Sequence, residues 1–308
     1  MIEKIKLIFS VFRIKRWYRN SFMLFSSLIA IQLNGLSFTK NIGIILLSFL
    51  SISLIASGNY GINEVFDAKT DKLHPQKKFR AIPAGKIKKT TVIIISLLLY
   101  VAAFCLVYPL KNFWLNASLV LFILNTGILY NIPPIRLKDL PYLDFIVESF
   151  GNSVRLLVGW YAVTTKIVPI SFILIFWCIG IFLMAGKRFA EIRYLDGKML
   201  SPDLYRKSLG YYTQENLLLS MICASSALMF MFGVLSVKYE IDMVIMLPLL
   251  LVFLIWYFRL AYQEDSIVKD PERVFENKPF VFYSLFLAAI FLLLIYYHLN
   301  IFGFLLEK

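Results

Sequence analysis

GNYGINEVFDAKTDKLHPQKKFRAIPAG, residues 58–85, runs from the end of a long apolar segment into a dense mixture of acids and bases, and its reading decides the fold. Before it, residues 41–62 are apolar over the length a helix needs to cross about 30 Å of hydrocarbon. After it, residues 91–109 repeat the pattern. Working outward gives nine such runs, near 21–37, 41–62, 91–109, 113–131, 142–163, 168–186, 216–236, 241–261 and 280–300. In lipid every backbone polar group must be paired within its own segment, so runs of this length read as helices. The whole chain agrees: 59% of its 308 residues are hydrophobic, 17% are charged and the mean hydropathy is +0.74, outside the soluble range. The expected fold is all-α, a polytopic membrane helix bundle of about nine transmembrane helices forming a single membrane-embedded domain over 1–308.

A net charge of +13 is common among nucleic-acid-binding proteins, but here its distribution has another cause. Of the 32 Lys and Arg, 26 lie in the N-terminal segment or beside every second loop. Lys40, Lys111, Lys166, Lys238 and Lys308 occupy the opposite side, and Arg155 falls inside the fifth run. Excess Lys and Arg mark the cytoplasmic side of a membrane. The N-terminus is therefore expected in the cytoplasm and the C-terminus outside, in a bacterial inner membrane, with no nucleic-acid partner. The motif loops near 63–90, 131–141 and 186–215 then face the cytoplasm. A basic stretch precedes the first run and further spans follow it, so no cleaved leader is expected. Cys105, Cys178 and Cys223 sit in apolar runs without pairing or metal-ligand spacing and read as packing residues.

Within the opening stretch, Asn63, Asp67 and Asp71 recur every four residues, which puts them on one helix face with Glu64 beside them. Like charges so placed repel, so a divalent cation or the Lys77, Lys78 and Arg80 that follow must compensate them. Mg2+ suits oxygen ligands of this kind, because it takes a few carboxylates and fills its remaining positions with water and substrate phosphate oxygens. A second polar region, GKRFAEIRYLDGKMLSPDLYRKSLGYYT at 186–213, places Lys187, Arg188, Glu191 and Arg193 within two turns of the sixth run. Lys187 and Arg188 follow that run directly, at a depth where charge needs a cavity or a partner. Arg155 is deeper still and should point into the bundle, toward an anion or a carboxylate such as Glu148, seven residues earlier on nearly the same face. YNIPPIRLKDLPYLD at 130–144 carries Pro133, Pro134 and Pro141 and reads as a rigid cytoplasmic elbow, with Arg136 and Lys138 at its surface.

Together, RIKRWYRN at 13–20, NEVFDAKTD at 63–71 and the 130–144 elbow resemble the motifs of the UbiA superfamily of intramembrane prenyltransferases. Typical members that ionise an isoprenyl diphosphate carry a second aspartate-rich motif after the sixth helix. Here that place holds Lys187, Arg188 and Glu191, and Asp196 and Asp203 stand seven apart. DKLHPQKKFRAIPAG at 71–85, MAGKRFAE at 184–191 and RKSLGYYT at 206–213 resemble one branch, the decaprenyl-phosphate phosphoribosyltransferases, although Glu64 stands where that branch usually has Asp.

The resemblance implies transfer of 5-phosphoribose from phosphoribosyl pyrophosphate to a polyprenyl phosphate in the membrane, with release of pyrophosphate. It implies catalysis through Mg2+ at Asn63, Asp67 and Asp71, with Glu64 beside them as a further metal ligand. Lys77, Lys78, Arg80, Arg155, Lys187, Arg188 and Glu191 are the implied substrate-binding residues, and His74 takes no catalytic role. The alternative on the same fold is an aromatic or quinone prenyltransferase using an isoprenyl diphosphate. A transporter would show internal repeats and paired interrupted helices, and the sequence shows neither.

Overall fold

The computed structural model of the protein describes residues 2–72, 77–198, 201–202, 206–270, 273–297, 299 and 301–303, with side chains from Leu7 onward. Among the described residues all regular structure is helical. After a short α1, Ile2–Val11, come α2 (Ser21–Leu33), α3 (Phe38–Asp71), α4 (Lys89–Val107) and α5 (Phe113–Phe122). A π-helical segment, Ile123–Leu129, continues α5. Then follow α6 (Leu143–Val163), α7 (Ile170–Asp196), α8 (Gln214–Tyr239), α9 (Met246–Tyr262) and α10 (Lys278–Tyr297).

Each of the nine apolar runs thus contains a helical segment, and among the described residues six segments are long and apolar enough to cross a membrane by themselves: those of α3, α4, α7, α8, α9 and α10. The protein is a multi-pass membrane protein. The other three segments have visible reasons to differ. α2 has 13 residues, Phe113–Leu129 is a shorter apolar helix, and α6 carries Asp144, Glu148 and Arg155. By contrast, the 34 residues of α3 rise about 51 Å, well beyond the hydrocarbon thickness. Its last turns therefore carry Asn63 to Asp71 on continuous helix rather than on a loop.

Residues 1–167 form one compact unit and residues 168–308 another. In the first, small residues let the helices close up, the usual device where lipid offers no hydrophobic drive between helices. A Cβ at Gly58 would strike the Tyr100 ring, and one at Gly61 would meet Ser96 and Phe12. α2 lies against α6 so closely that a Cβ at Gly159 would overlap the Met23 backbone. Ser26 Oγ donates to the Leu156 carbonyl at 2.7 Å and Ser27 Oγ to the Gly159 carbonyl at 2.8 Å, tying the same two helices together. Val11, Phe12, Val65, Ala68, Ala81, Ile82 and Val92 make a buried cluster that pins the N-terminal segment and the post-α3 segment to α3 and α4.

In the second unit α7 and α8 are extensively packed, and aromatic pairs such as Phe182–Tyr257 and Phe253–Phe280 fill the space around them. Buried Asp242 accepts from the Ile301 and Phe302 amides at 3.0 and 2.8 Å, fastening the chain after α10.

Gly159→Ala is expected to lower the thermal midpoint of the detergent-purified protein by an amount equivalent to about 1–3 kcal/mol of overpacking. Gly43→Ala, where nothing lies within 4 Å, should leave it unchanged or raise it slightly.

Candidate active site

The end of α3 gathers the acidic motif, and the elbow folds back on it. Asp67 Oδ1 accepts from Lys138 Nζ at 2.5 Å and from Arg136 Nη2 at 2.9 Å. Arg136 also donates to the Phe66 carbonyl at 3.2 Å and to Asp139 Oδ2 at 2.9 Å. Asn131 Oδ1 accepts from Lys138 Nζ at 3.0 Å and from Asn63 Nδ2 at 2.5 Å, while Asn131 Nδ2 donates to the Thr126 and Gly127 carbonyls of the π-helical segment. Turned over, the Asn63 amide would donate to Asp67 Oδ2 and accept from Lys138, each at 3.1 Å. Either way Asn63, Asp67, Asn131 and Lys138 form one network.

Lys138 is only 6% exposed, which corrects the expectation that it stands at the elbow's surface. The prolines do not simply end a helix; they turn the chain so that RLKD meets the acids, with Arg136 in the left-handed region at φ +32°. Asn131 and Lys138 are site residues the sequence reading missed. The available signal was charge balance, since an acidic helix face needs cations and this loop offers them.

On the other side of the motif, Asp71 accepts from Arg80 at 2.7 Å. Lys77 and Lys78 lie in a 3-10 turn, Lys77–Phe79. Lys77 acts on Asp67 through space, and Lys78 is exposed over the Phe79 ring. Glu64 is 3% exposed and its Oε1 accepts from the Ile82 amide at 3.4 Å, so it braces the segment that presents Arg80. His74 lies outside the described residues.

Arg155 does not pair with Glu148 as the spacing had suggested. Its Nε donates to Asn20 Oδ1 at 2.9 Å and its Nη1 to Asn152 Oδ1 at 3.1 Å, with the guanidinium 4.9 Å from the Phe122 ring centroid. Glu148 instead accepts from the Tyr130 hydroxyl at 2.7 Å.

In the second unit, Arg188 is completely buried and donates to Glu191 at 2.9 Å, with Lys187 3.7 Å from the same carboxylate. Asp196 accepts from Gln214 at 2.9 Å, and Asp203 lies outside the described residues. The expected cation cluster therefore carries its own acid, one helical turn away.

The donor set on α3 suits Mg2+ in kind. Among the described residues no three His, Cys, Asp or Glu side chains converge on a point. Two carboxylates and one amide do lie on one face, which is the small set of hard oxygens that Mg2+ takes when phosphate and water complete its shell. Arg80, Arg136 and Lys138 give that end of the helix the opposite sign that a metal-bound phosphate also needs.

A long helix ending in a polar motif and gripped by a proline elbow thus sets the site within an all-helical membrane fold. The chain belongs to the UbiA prenyltransferase family, whose pattern matches residues 21–286. It is 27% identical over 225 residues to the decaprenyl-phosphate phosphoribosyltransferase of Mycolicibacterium smegmatis, covering 72% of this chain and 67% of that one. It is 28% identical over 152 residues to a protoheme IX farnesyltransferase of Listeria monocytogenes, 49% of each chain. The solved structure of a UbiA homologue from Archaeoglobus fulgidus bound to GPP and Mg2+ superposes with a TM-score of 0.68, covering 94% of this chain and 99% of that one at 15% identity.

Lys138→Met is expected to leave Asp67 with Arg136 as its remaining bonded cation and to lower stability by roughly 3 kcal/mol, as when one partner of a buried pair is removed. Thermal unfolding of the purified protein reads this directly, with exposed Lys15→Met as the unaffected control.

Proposed function

We propose that the chain is one transferase domain over 1–308 that moves 5-phosphoribose from phosphoribosyl pyrophosphate onto a polyprenyl phosphate at the cytoplasmic face of a bacterial inner membrane. The observation that carries this reading is the end of α7. Two acid clusters suit an enzyme that ionises an isoprenyl diphosphate between two metal ions, but α7 carries a buried Arg188–Glu191 pair flanked by Lys187. The resemblance to the phosphoribosyltransferase of Mycolicibacterium smegmatis over 72% of the chain supports it further.

In this reading Asn63, Asp67 and Asp71 hold Mg2+, with Glu64 bracing the motif, and the metal supplies neutralisation of the leaving pyrophosphate. The protein's own residues do the rest. Lys138 and Arg136 fix the Asp67 carboxylate, and Arg80 fixes Asp71, so the acid face is preorganised before substrate arrives. Lys77, Lys78 and Arg80 lie at the motif end of α3 as contacts for the donor's phosphates. Lys187, Arg188 and Glu191 are carried over as further donor contacts on the MAGKRFAE resemblance alone. The bond from ribose carbon one to pyrophosphate breaks, and a bond from that carbon to a phosphate oxygen of the lipid forms. The lipid phosphate is already an anion at neutral pH, so no protein base is required.

A second reading, prenyl transfer from an isoprenyl diphosphate, is favoured by the Listeria farnesyltransferase match and by the solved homologue's GPP. Purified protein given labelled phosphoribosyl pyrophosphate, polyprenyl phosphate and Mg2+ should place label in lipid. Asp67→Asn or chelation of the metal should cut that rate by about a hundredfold or more. If no label reaches lipid while an isoprenyl diphosphate is consumed with an aromatic acceptor, the second reading replaces the first.

A further inference from the structure

The first unit holds a second charged site that the acid motif does not use. Residues 13–20 run alongside α3 in the opposite direction: Trp17 Nε1 donates to Ser57 Oγ at 2.9 Å and Asn20 Nδ2 to Ser53 Oγ at 3.0 Å. This brings two arginines over Tyr60, with Arg13 Cζ 5.0 Å and Arg16 Cζ 5.9 Å from the ring centroid. Arg19 and Arg155 lie within electrostatic range of the same tyrosine, and of each other. Two guanidiniums thus lie over Tyr60, and two more, from the same segment and from α6, act on it through space.

Three of them, Arg13, Arg19 and Arg155, have no bonded acid among the described residues. Glu64 acts on Arg13 only through space, and Glu148, the acid facing Arg19 and Arg155, is engaged by Tyr130. Arg155 is held by two neutral amide oxygens, which aim a cation without neutralising it. Burial, and then Arg16 and Arg80 beside it, push the Arg13 guanidinium down to about 10, so the group stays charged at neutral pH yet lacks an anion. Arg13 also sits in the left-handed region at φ +46°, a conformation that is costly for a residue with a Cβ. Its backbone is held there while its side chain covers the ring.

All four arginines are half-buried rather than enclosed, which leaves the group open to a ligand. Guanidiniums are the side chains best matched to phosphate oxygens. The position of the cluster selects which phosphate. Tyr60 precedes Asp67 by seven residues on α3, about 10 Å toward the apolar part of the helix. Arg19 stands two residues before the start of apolar α2, and Trp17 and Phe122 contribute aromatic surface. A water-soluble donor would meet the acids at the outer end of α3, and a phosphate on an apolar chain would reach the arginines nearer its apolar part.

We propose that Arg13 and Arg16 over Tyr60, with Arg19 and the Arg155 that bonds its neighbour Asn20, bind the phosphate monoester of the polyprenyl acceptor. This rests on the acceptor being a polyprenyl phosphate, as in the proposed function. The same chemistry could come from the donor's 5-phosphate, and the test separates the two sources.

Full-length protein in detergent is incubated with a tritiated polyprenyl phosphate, without donor or Mg2+, and bound label is measured beside a tritiated polyprenol. Arg16→Gln and Arg19→Gln should each weaken binding of the phosphate about tenfold or more, leave polyprenol binding unchanged and keep the wild-type thermal midpoint. Arg16→Lys should recover part of the loss. In turnover, the variants should raise KM for the lipid and leave KM for phosphoribosyl pyrophosphate unchanged. Unaltered lipid binding with a raised KM for the donor would assign the cluster to the 5-phosphate and overturn the proposal. Unaltered lipid binding with a lowered thermal midpoint would make the cluster structural and overturn it equally. Because binding is read without turnover, wild-type protein that binds the lipid phosphate through these arginines but transfers no phosphoribose would sink the proposed reaction and leave the site standing.

Discussion

Asp67 and Asp71 lie one turn apart at the C-terminal end of α3, where two effects oppose them. The carboxylates repel at this spacing, and the helix dipole places partial negative charge at the same end. Lys138 and Arg136 on Asp67, and Arg80 on Asp71, offset both. Much of the first unit can be understood as the means of bringing those cations there. The elbow must fold back, its backbone at Arg136 must take a left-handed conformation, and the segment after α3 must be pinned by Ala81 and Ile82 and by Glu64 reaching the Ile82 amide.

The π-helical segment belongs to the same construction. Asn59 Nδ2 donates to Thr126 Oγ1 at 2.7 Å and its Oδ1 accepts from the Tyr100 hydroxyl at 2.6 Å, so a satisfied polar network locks α3 to the widened turn and to α4. A Cβ at Gly127 would meet Asn59 Oδ1, which explains the glycine there. The Thr126 and Gly127 carbonyls then receive Asn131, the residue that also touches Asn63 and Lys138. Irregular helix at membrane depth is tolerated where such partners exist, and π-turns often mark functional positions. Here the irregularity carries the polar network toward the elbow.

The two kinds of charged group in the first unit are held in opposite ways. Asp67 and Asp71 are matched by bonded cations from neighbouring loops. Arg13 lies over an aromatic ring and Arg155 is held by neutral amide oxygens, neither bonded to an acid. In the second unit Arg188 is bonded to Glu191 within one turn of α7, and Lys187 and Arg206 act on the same carboxylate. A guanidinium so deeply buried is tolerable because its carboxylate is bonded to it.

The sequence by itself determined the all-helical membrane fold, because hydrocarbon thickness and backbone pairing leave few ways to read repeated long apolar runs. It also determined that Asn63, Asp67 and Asp71 share a face, because helical period alone fixes that. It could not show that α2 and the Phe113–Leu129 helix are short, since an apolar run does not record where its helix starts and stops. Nor could it decide partners across distant segments. Glu148 and Arg155 stand on nearly one face, yet only packing could show that Tyr130 takes the acid while Asn20 and Asn152 take the base. Lys138 looked like an ordinary positive loop residue, and only the folded elbow makes it a buried partner of Asp67. Periodicity is local and can be read along the chain, whereas charge pairing depends on which segments the fold brings within about 3 Å of one another.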